Sequence, residues 1–167
     1  MSGHNPGWGA RTGFAQKVIL NVYDLSQEVN QYAAPFGFGL HHSGVEVGGR
    51  EYSFASGAGI FDSTPRQAPN AVFREAIEIG AVEDGEAGVQ RALSNLEAEF
   101  GPDKYHILNK NCNSFADAFC QELVGRGIPG WVNRLAYMGS MFSCLIPPEY
   151  LGEAPVGAEP MSQSSGF

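Results

Sequence analysis

The sequence predicts an α+β fold in which a small antiparallel sheet packs against helices. Three observations lead there. Short stretches rich in β-branched and aromatic residues fill the first half: KVILNVYDL, HHSGVEV, REYSFA and AVFREAIEI. A Gly48-Gly49 pair joins two of them in the manner of a tight hairpin. The second half holds two stretches of helical period closed by glycine and proline. Strands followed by helices, rather than alternating with them, is the α+β order.

Taken in order, residues 1–15 are Gly-rich and polar and read as a flexible arm. Residues 17–25 form the first strand, with a turn at 24–26. Residues 30–40 (NQYAAPFGFGL) carry Pro and Gly at short intervals and read as a connection. His41–Val47 and Arg50–Ala55 are the two arms of the hairpin. Residues 56–66 read as a Gly/Ser/Pro loop. Residues 71–79 are short and end in β-branched residues, which favours a strand over a helix. Over 84–100 the apolar residues Val89, Ala92, Leu93, Leu96 and Phe100 share one helical face, and Gly101-Pro102 ends it. A short apolar piece follows at 105–108. Residues 111–124 form the second helix, ended by Gly125 and Gly127. Residues 133–141 suit a third, shorter helix. Residues 152–167 are Gly, Pro, Ser and Ala with two acids, cannot bury a core and read as a disordered tail. The expected domain spans 16–151.

Bulk properties narrow the function classes. A chain of 167 residues suits one domain. Lys and Arg number 10, spread along the chain, against a net charge of -8, so nucleic acid is not an expected partner. No apolar run reaches the roughly 18 residues of a membrane span, and the N-terminus lacks the charged-then-apolar order of a secretory signal. Three cysteines (Cys112, Cys120, Cys144) and no such signal point to a reducing compartment, expected to be the cytoplasm and also the nucleus, rather than a disulfide framework. No C-x-x-C or H-x-x-x-H pair occurs, so no metal site is expected.

Cys112 lies in NKNCNSF, in the first turn of the second helix. There the unpaired N–H groups and the helix dipole favour an anion, which lowers a thiol pKa and provides donors for an oxyanion. Cys112 stands four residues before Ala116 and eight before Cys120, so it points to the same buried side. Cys120 and Cys144 sit among apolar residues and read as small hydrophobes. A thiolate nucleophile needs an imidazole partner, and His41, His42 and His106 are the candidates. His106 reads better as an exposed or half-buried ring. In a strand, His42, Gly44 and Glu46 share one face, while His41, Ser43, Val45 and Val47 share the other. This alternation leaves His41 and His42 even. For a third group that would orient the histidine, Glu46, Tyr52, Asn109 and Asn111 are candidates without a favourite. Gly-rich 35–39 and 57–59 suit groove walls, though ordinary turns are the simpler reading, and Trp131 and Tyr137 read as core packing.

The segments VILNVYDLS, HHSGVEVGGREYSF, GIFDS, YHILNKNCNSFADAF and IPGWVNRLAY resemble the PPPDE family of cysteine peptidases, the deSUMOylating isopeptidase group. The resemblance covers roughly residues 17–151 and is closest to the branch with HSGIEV-like and NRLAY-like segments. It implies a circularly permuted papain-like (NlpC/P60-like) fold in which the His strand precedes the Cys helix. It also implies a dyad of His42 and Cys112, because the family histidine is the one directly before Ser43-Gly44. The implied activity is cleavage of ubiquitin or a ubiquitin-like modifier such as SUMO from proteins. Palmitoyl-thioester cleavage by the same dyad is the alternative, and a non-catalytic adaptor that keeps the fold is a further one. No metal or organic cofactor is implied.

Overall fold

The computed structural model describes residues 14–25 and 41–134. Five strands are present: β1 (Gln16–Leu25), β2 (His41–Val47), β3 (Arg50–Ala55), β4 (Gly59–Ser63) and β5 (Ala71–Val82). Two helices follow, α1 (Gly85–Leu96) and α2 (Cys112–Val124). The strands form one sheet in the order β4-β3-β2-β1-β5, with every neighbouring pair antiparallel. The small antiparallel sheet and α+β order expected from sequence are therefore present.

Gly48 and Gly49 close the β2–β3 hairpin with φ of 60° and 78°, the left-handed pair that a two-residue turn needs and that side chains resist. Residues 59–63, expected to be loop, instead form β4. GIFDS returns along β3 from Ala55↔Gly59 to Glu51↔Ser63. Its five residues are too few to show a strand period beside the glycines, so the pairing partner decides. The Gly57–Gly59 stretch is the β3–β4 turn, tied to the Pro102 carbonyl by the N–H of Gly57 at 2.9 Å. β5 runs three residues beyond the expected end, and shifts its register against β1 at Val18/Ile19 and Val22/Tyr23.

One sheet face is apolar. Leu20 and Val22 of β1, Val45 and Val47 of β2, and Tyr52 and Phe54 of β3 are buried in a single cluster with both helices. α1 contributes Val89, Ala92 and Leu96; α2 contributes Phe115, Ala116, Phe119, Cys120 and Leu123. α1 ends at Leu96, earlier than expected, and two further turns carry Phe100 into the core before Gly101. α2 begins at its Asn111 cap and ends at Gly125, whose φ of 68° is the left-handed stop expected of glycine. Of the helix expected over 133–141, residues from 135 lie outside the described residues. So do Tyr137, Cys144, the 30–40 connection, the 35–39 groove wall, the 152–167 tail and all but the end of the N-terminal arm.

Candidate active site

The start of α2 is built by three polar residues around Cys112: Asn111, Asn113 and Ser114. Asn111 Oδ1 accepts the N–H groups of Asn113 and Ser114, each at 3.0 Å, and the Asn111 N–H donates to Ser114 Oγ at 3.2 Å. This reciprocal cap fixes the first turn. Asn111 Nδ2 also donates to the Ile107 carbonyl at 2.7 Å, so the preceding segment is held against the same cap. The cap occupies the N–H groups of Asn113 and Ser114.

Asn113 fastens this turn to the sheet. Its Oδ1 accepts the Ser43 hydroxyl at 2.6 Å, and its Nδ2 donates to the carbonyls of His41 at 2.9 Å and Val132 at 3.2 Å. Asn113 is buried, and its amide thus joins β2 and the segment after α2 to the helix start. The Cys112 thiol donates to the same Oδ1 at 3.8 Å.

β2 and β3 pair only from Val45↔Tyr52 to Val47↔Arg50, so the N-terminal half of β2 has no ladder partner on that side. The groups freed there are used otherwise. The Ser43 carbonyl accepts the Ser53 hydroxyl at 3.2 Å, and the Ser43 N–H favours the anion of the Cys112 sulfur. The sulfur thus lies where the ladder has stopped, on the backbone of the residue that follows His42. Cys112 is 4% exposed, and burial pushes its thiol up to about 11, against the lowering effect of the N–H groups of Ser43, Asn113 and Cys112 itself. The direction is opposite to that expected from a helix N-terminus alone: desolvation of the anion outweighs the donors.

The structure separates the two strand histidines. Ser43 faces α2, so His42 faces the other side of the sheet, opposite Tyr23 in the β1–β2 register and 5.5 Å from its ring. His42 is buried, and burial alone lowers its imidazole to about 4. Among the described residues no hydrogen bond joins this ring to the Cys112 sulfur. His41 stands edge-on to Trp131 at 5.3 Å, with Nδ1 3.2 Å from Asp24 Oδ1 but not aligned for a hydrogen bond. Burial lowers its pKa, and Asp24 opposes that. His106 is half-buried, and its Nδ1 accepts the N–H groups of Leu108 and Asn109 at 3.3 and 3.4 Å in the turn before α2.

The four candidates for an orienting group fare differently. Tyr52 packs on Phe119 in the core, Asn111 is the cap, and Asn109 is exposed in a turn. Glu46 accepts from Asn21 Nδ2 at 2.9 Å and sits 3.5 Å from Arg66 Nε. The residues that do touch His42 or Cys112 are Tyr23, Ser43 and Asn113, none of them one of those four. Asn113 carried a signal in its place beside the cysteine. Tyr23 carried none, since only the register brings it to His42. Cys112 and Cys120 are both free. Among the described residues there is no cluster of His, Cys, Asp and Glu able to hold a metal, and no helix long and apolar enough to cross a membrane.

A strand histidine ahead of a cysteine at a helix start, on an antiparallel α+β frame, is an arrangement suited to a peptidase. Residues 16–150 match the "PPPDE putative peptidase domain", and the chain belongs to the PPPDE peptidase family. It is similar to a DeSI-like protein of Arabidopsis thaliana, 38% identical over 78% of this chain and 59% of that protein. It is also similar to a desumoylating isopeptidase 1 homolog of Caenorhabditis elegans, 37% identical over 80% of this chain and 43% of that protein. Human desumoylating isopeptidase 1 is 31% identical over 71% of this chain and 73% of its own length. The chain thus spans about half the length of the first two relatives.

Proposed function

We propose that this protein is a cysteine isopeptidase that removes ubiquitin or a ubiquitin-like modifier, SUMO among them, from proteins, with Cys112 as nucleophile and His42 as base. The carrying observation is Cys112 at the start of α2, tied through Asn113 to Ser43, the residue that follows His42, in a chain of the PPPDE peptidase family. The names of relatives, desumoylating isopeptidase, support the modifier class. The order of elements, histidine strand before cysteine helix, supports a circularly permuted papain-like arrangement within the domain proposed for 16–151. Reduced cysteines suit a cytoplasmic or nuclear setting.

In this reading both groups rest neutral, since burial raises the thiol and lowers the imidazole. The proton moves from Sγ to the His42 ring as the sulfur attacks the carbonyl carbon of the isopeptide bond. Each new charge then stabilises the other, which offsets the burial that opposes either alone. The Cys112 N–H donates to the oxyanion. Collapse breaks the C–N bond, the lysine amine leaves with the His42 proton, and water hydrolyses the thioester, returning the thiol. This reading requires substrate to bring the imidazole to the sulfur, since the ring and α2 lie on opposite faces of the sheet.

The test uses a fluorogenic ubiquitin or SUMO C-terminal amide, with a palmitoyl-thioester probe alongside. Cleavage of the amide that is lost in Cys112→Ser, and reduced by about 100-fold or more in His42→Asn, is the expected result. Cleavage of the thioester alone overturns the isopeptidase reading. Turnover of neither substrate returns the chain to an adaptor.

A further inference from the structure

The sheet face away from α2 carries a buried polar cluster that the reaction above does not use. Glu51 of β3 is 2% exposed. Its carboxylate accepts the Tyr23 phenolic O–H at 2.7 and 2.8 Å, Asn21 Nδ2 at 2.7 Å and the Arg66 N–H at 2.9 Å. Arg66 holds a left-handed φ of 63°, and the same turn delivers its N–H to Glu51. Gly44 completes the fit: a Cβ there would collide with Glu51 Oε1, so the glycine of HHSG gives the carboxylate its place. A carboxylate taken out of water costs several kcal/mol unless donors replace the water. Here four contacts do so, two of them from Tyr23, the residue directly opposite His42 and 5.5 Å from it ring to ring.

We propose that Glu51 is a positioning residue for His42, acting through Tyr23. The carboxylate locks the phenol that walls the imidazole, and it sets a negative charge one ring behind the imidazolium that forms when Cys112 gives up its proton. Glu51 neither makes nor breaks a bond in the reaction; the proton passes only between Sγ and the imidazole. The charged and titratable groups nearest His42 are Tyr23 and Asp24 from β1, His41 and Glu46 from its own strand, Glu51 from β3 and Arg66 from the following loop. The inference rests on the Cys112–His42 reading.

The experiment follows alkylation of Cys112 by iodoacetamide against pH, read peptide by peptide in the full chain, for wild type, Glu51→Gln, Tyr23→Phe and the double variant. Without the charge or its link, the thiolate–imidazolium pair forms less readily. The alkylation midpoint is expected to move up by about 0.5–1 pH unit in each single variant, and no further in the double. On the fluorogenic amide, kcat is expected to fall about tenfold with KM unchanged. A folded variant with the wild-type profile, or shifts that add in the double, overturns the proposal; if Glu51→Gln does not fold, Tyr23→Phe decides it. His42→Asn is read separately: if it leaves the alkylation profile unchanged, the dyad itself fails, whatever Glu51 does.

Discussion

At the scale of single residues, His42 shows how burial and chemistry pull against each other. An imidazole near 4 in the folded chain and near 6.5 unfolded makes the unfolded state bind more protons between those values. Stability therefore rises with pH across that window and is lost as pH falls from about 6.5 to 4, by about 3 kcal/mol in total. Melting temperature recorded from pH 4 to 7 is expected to show this slope, with a flatter slope in His42→Phe. An equal slope in the variant would mean that other groups carry the acid sensitivity. Cys112 has the mirrored dependence. Its raised thiol keeps the proton to about 11, so stability falls as pH rises from about 9 towards 11. The two shifts together keep both groups neutral near pH 7; in the proposed mechanism, charge appears there only when the proton moves between them.

At the scale of elements, the helix start and the strand fork are one construction. The Asn111 cap sets the first turn of α2, Asn113 bolts that turn to β2, and the interrupted β2–β3 ladder offers Ser43 to the sulfur. Asn111→Ala removes the cap acceptor for two N–H groups and the bond to Ile107. It is expected to destabilise by about 1–2 kcal/mol in urea unfolding and to change the alkylation rate of Cys112 as well. A loss of stability with an unaltered rate would show that the sulfur's setting does not depend on the cap. The elements themselves were legible in sequence where a period or a turn residue is long enough to register: β1, the Gly48-Gly49 hairpin, β5 and both helices. β4 was not, because five residues flanked by glycines have no period of their own. The register was not legible either. Tyr23, His42 and Glu51 meet across 19- and 28-residue separations, which no local pattern encodes. Of the candidate site, Cys112 could be read from its place at a helix start, whereas choosing His42 over His41 needed the family resemblance.

At the scale of the whole molecule, the sheet divides the domain into an apolar half that holds it together and a polar half that holds His42. The apolar half depends on aromatic contacts within α2 and between elements. Phe119 of α2 stacks on Phe115 at 5.3 Å and meets Tyr52 of β3 at 5.5 Å, while Phe54 of β3 meets Phe100 at 5.2 Å. Phe119 is fully buried, so Phe119→Ala leaves a cavity beneath α2, with an expected cost of about 3–5 kcal/mol. Against a total of about 5–15 kcal/mol for an ordinary domain, that leaves a marginal fold. The urea midpoint should drop accordingly with little change in slope. Because α2 carries Cys112 at its far end, a loosened helix should also blur the site, and the dependence of Cys112 alkylation on His42 that the proposed dyad implies should be lost before global unfolding begins. A variant that loses stability yet keeps a His42-dependent alkylation rate would show the opposite: that the Asn111–Asn113–Ser43 connections hold the sulfur in place independently of the core beneath them.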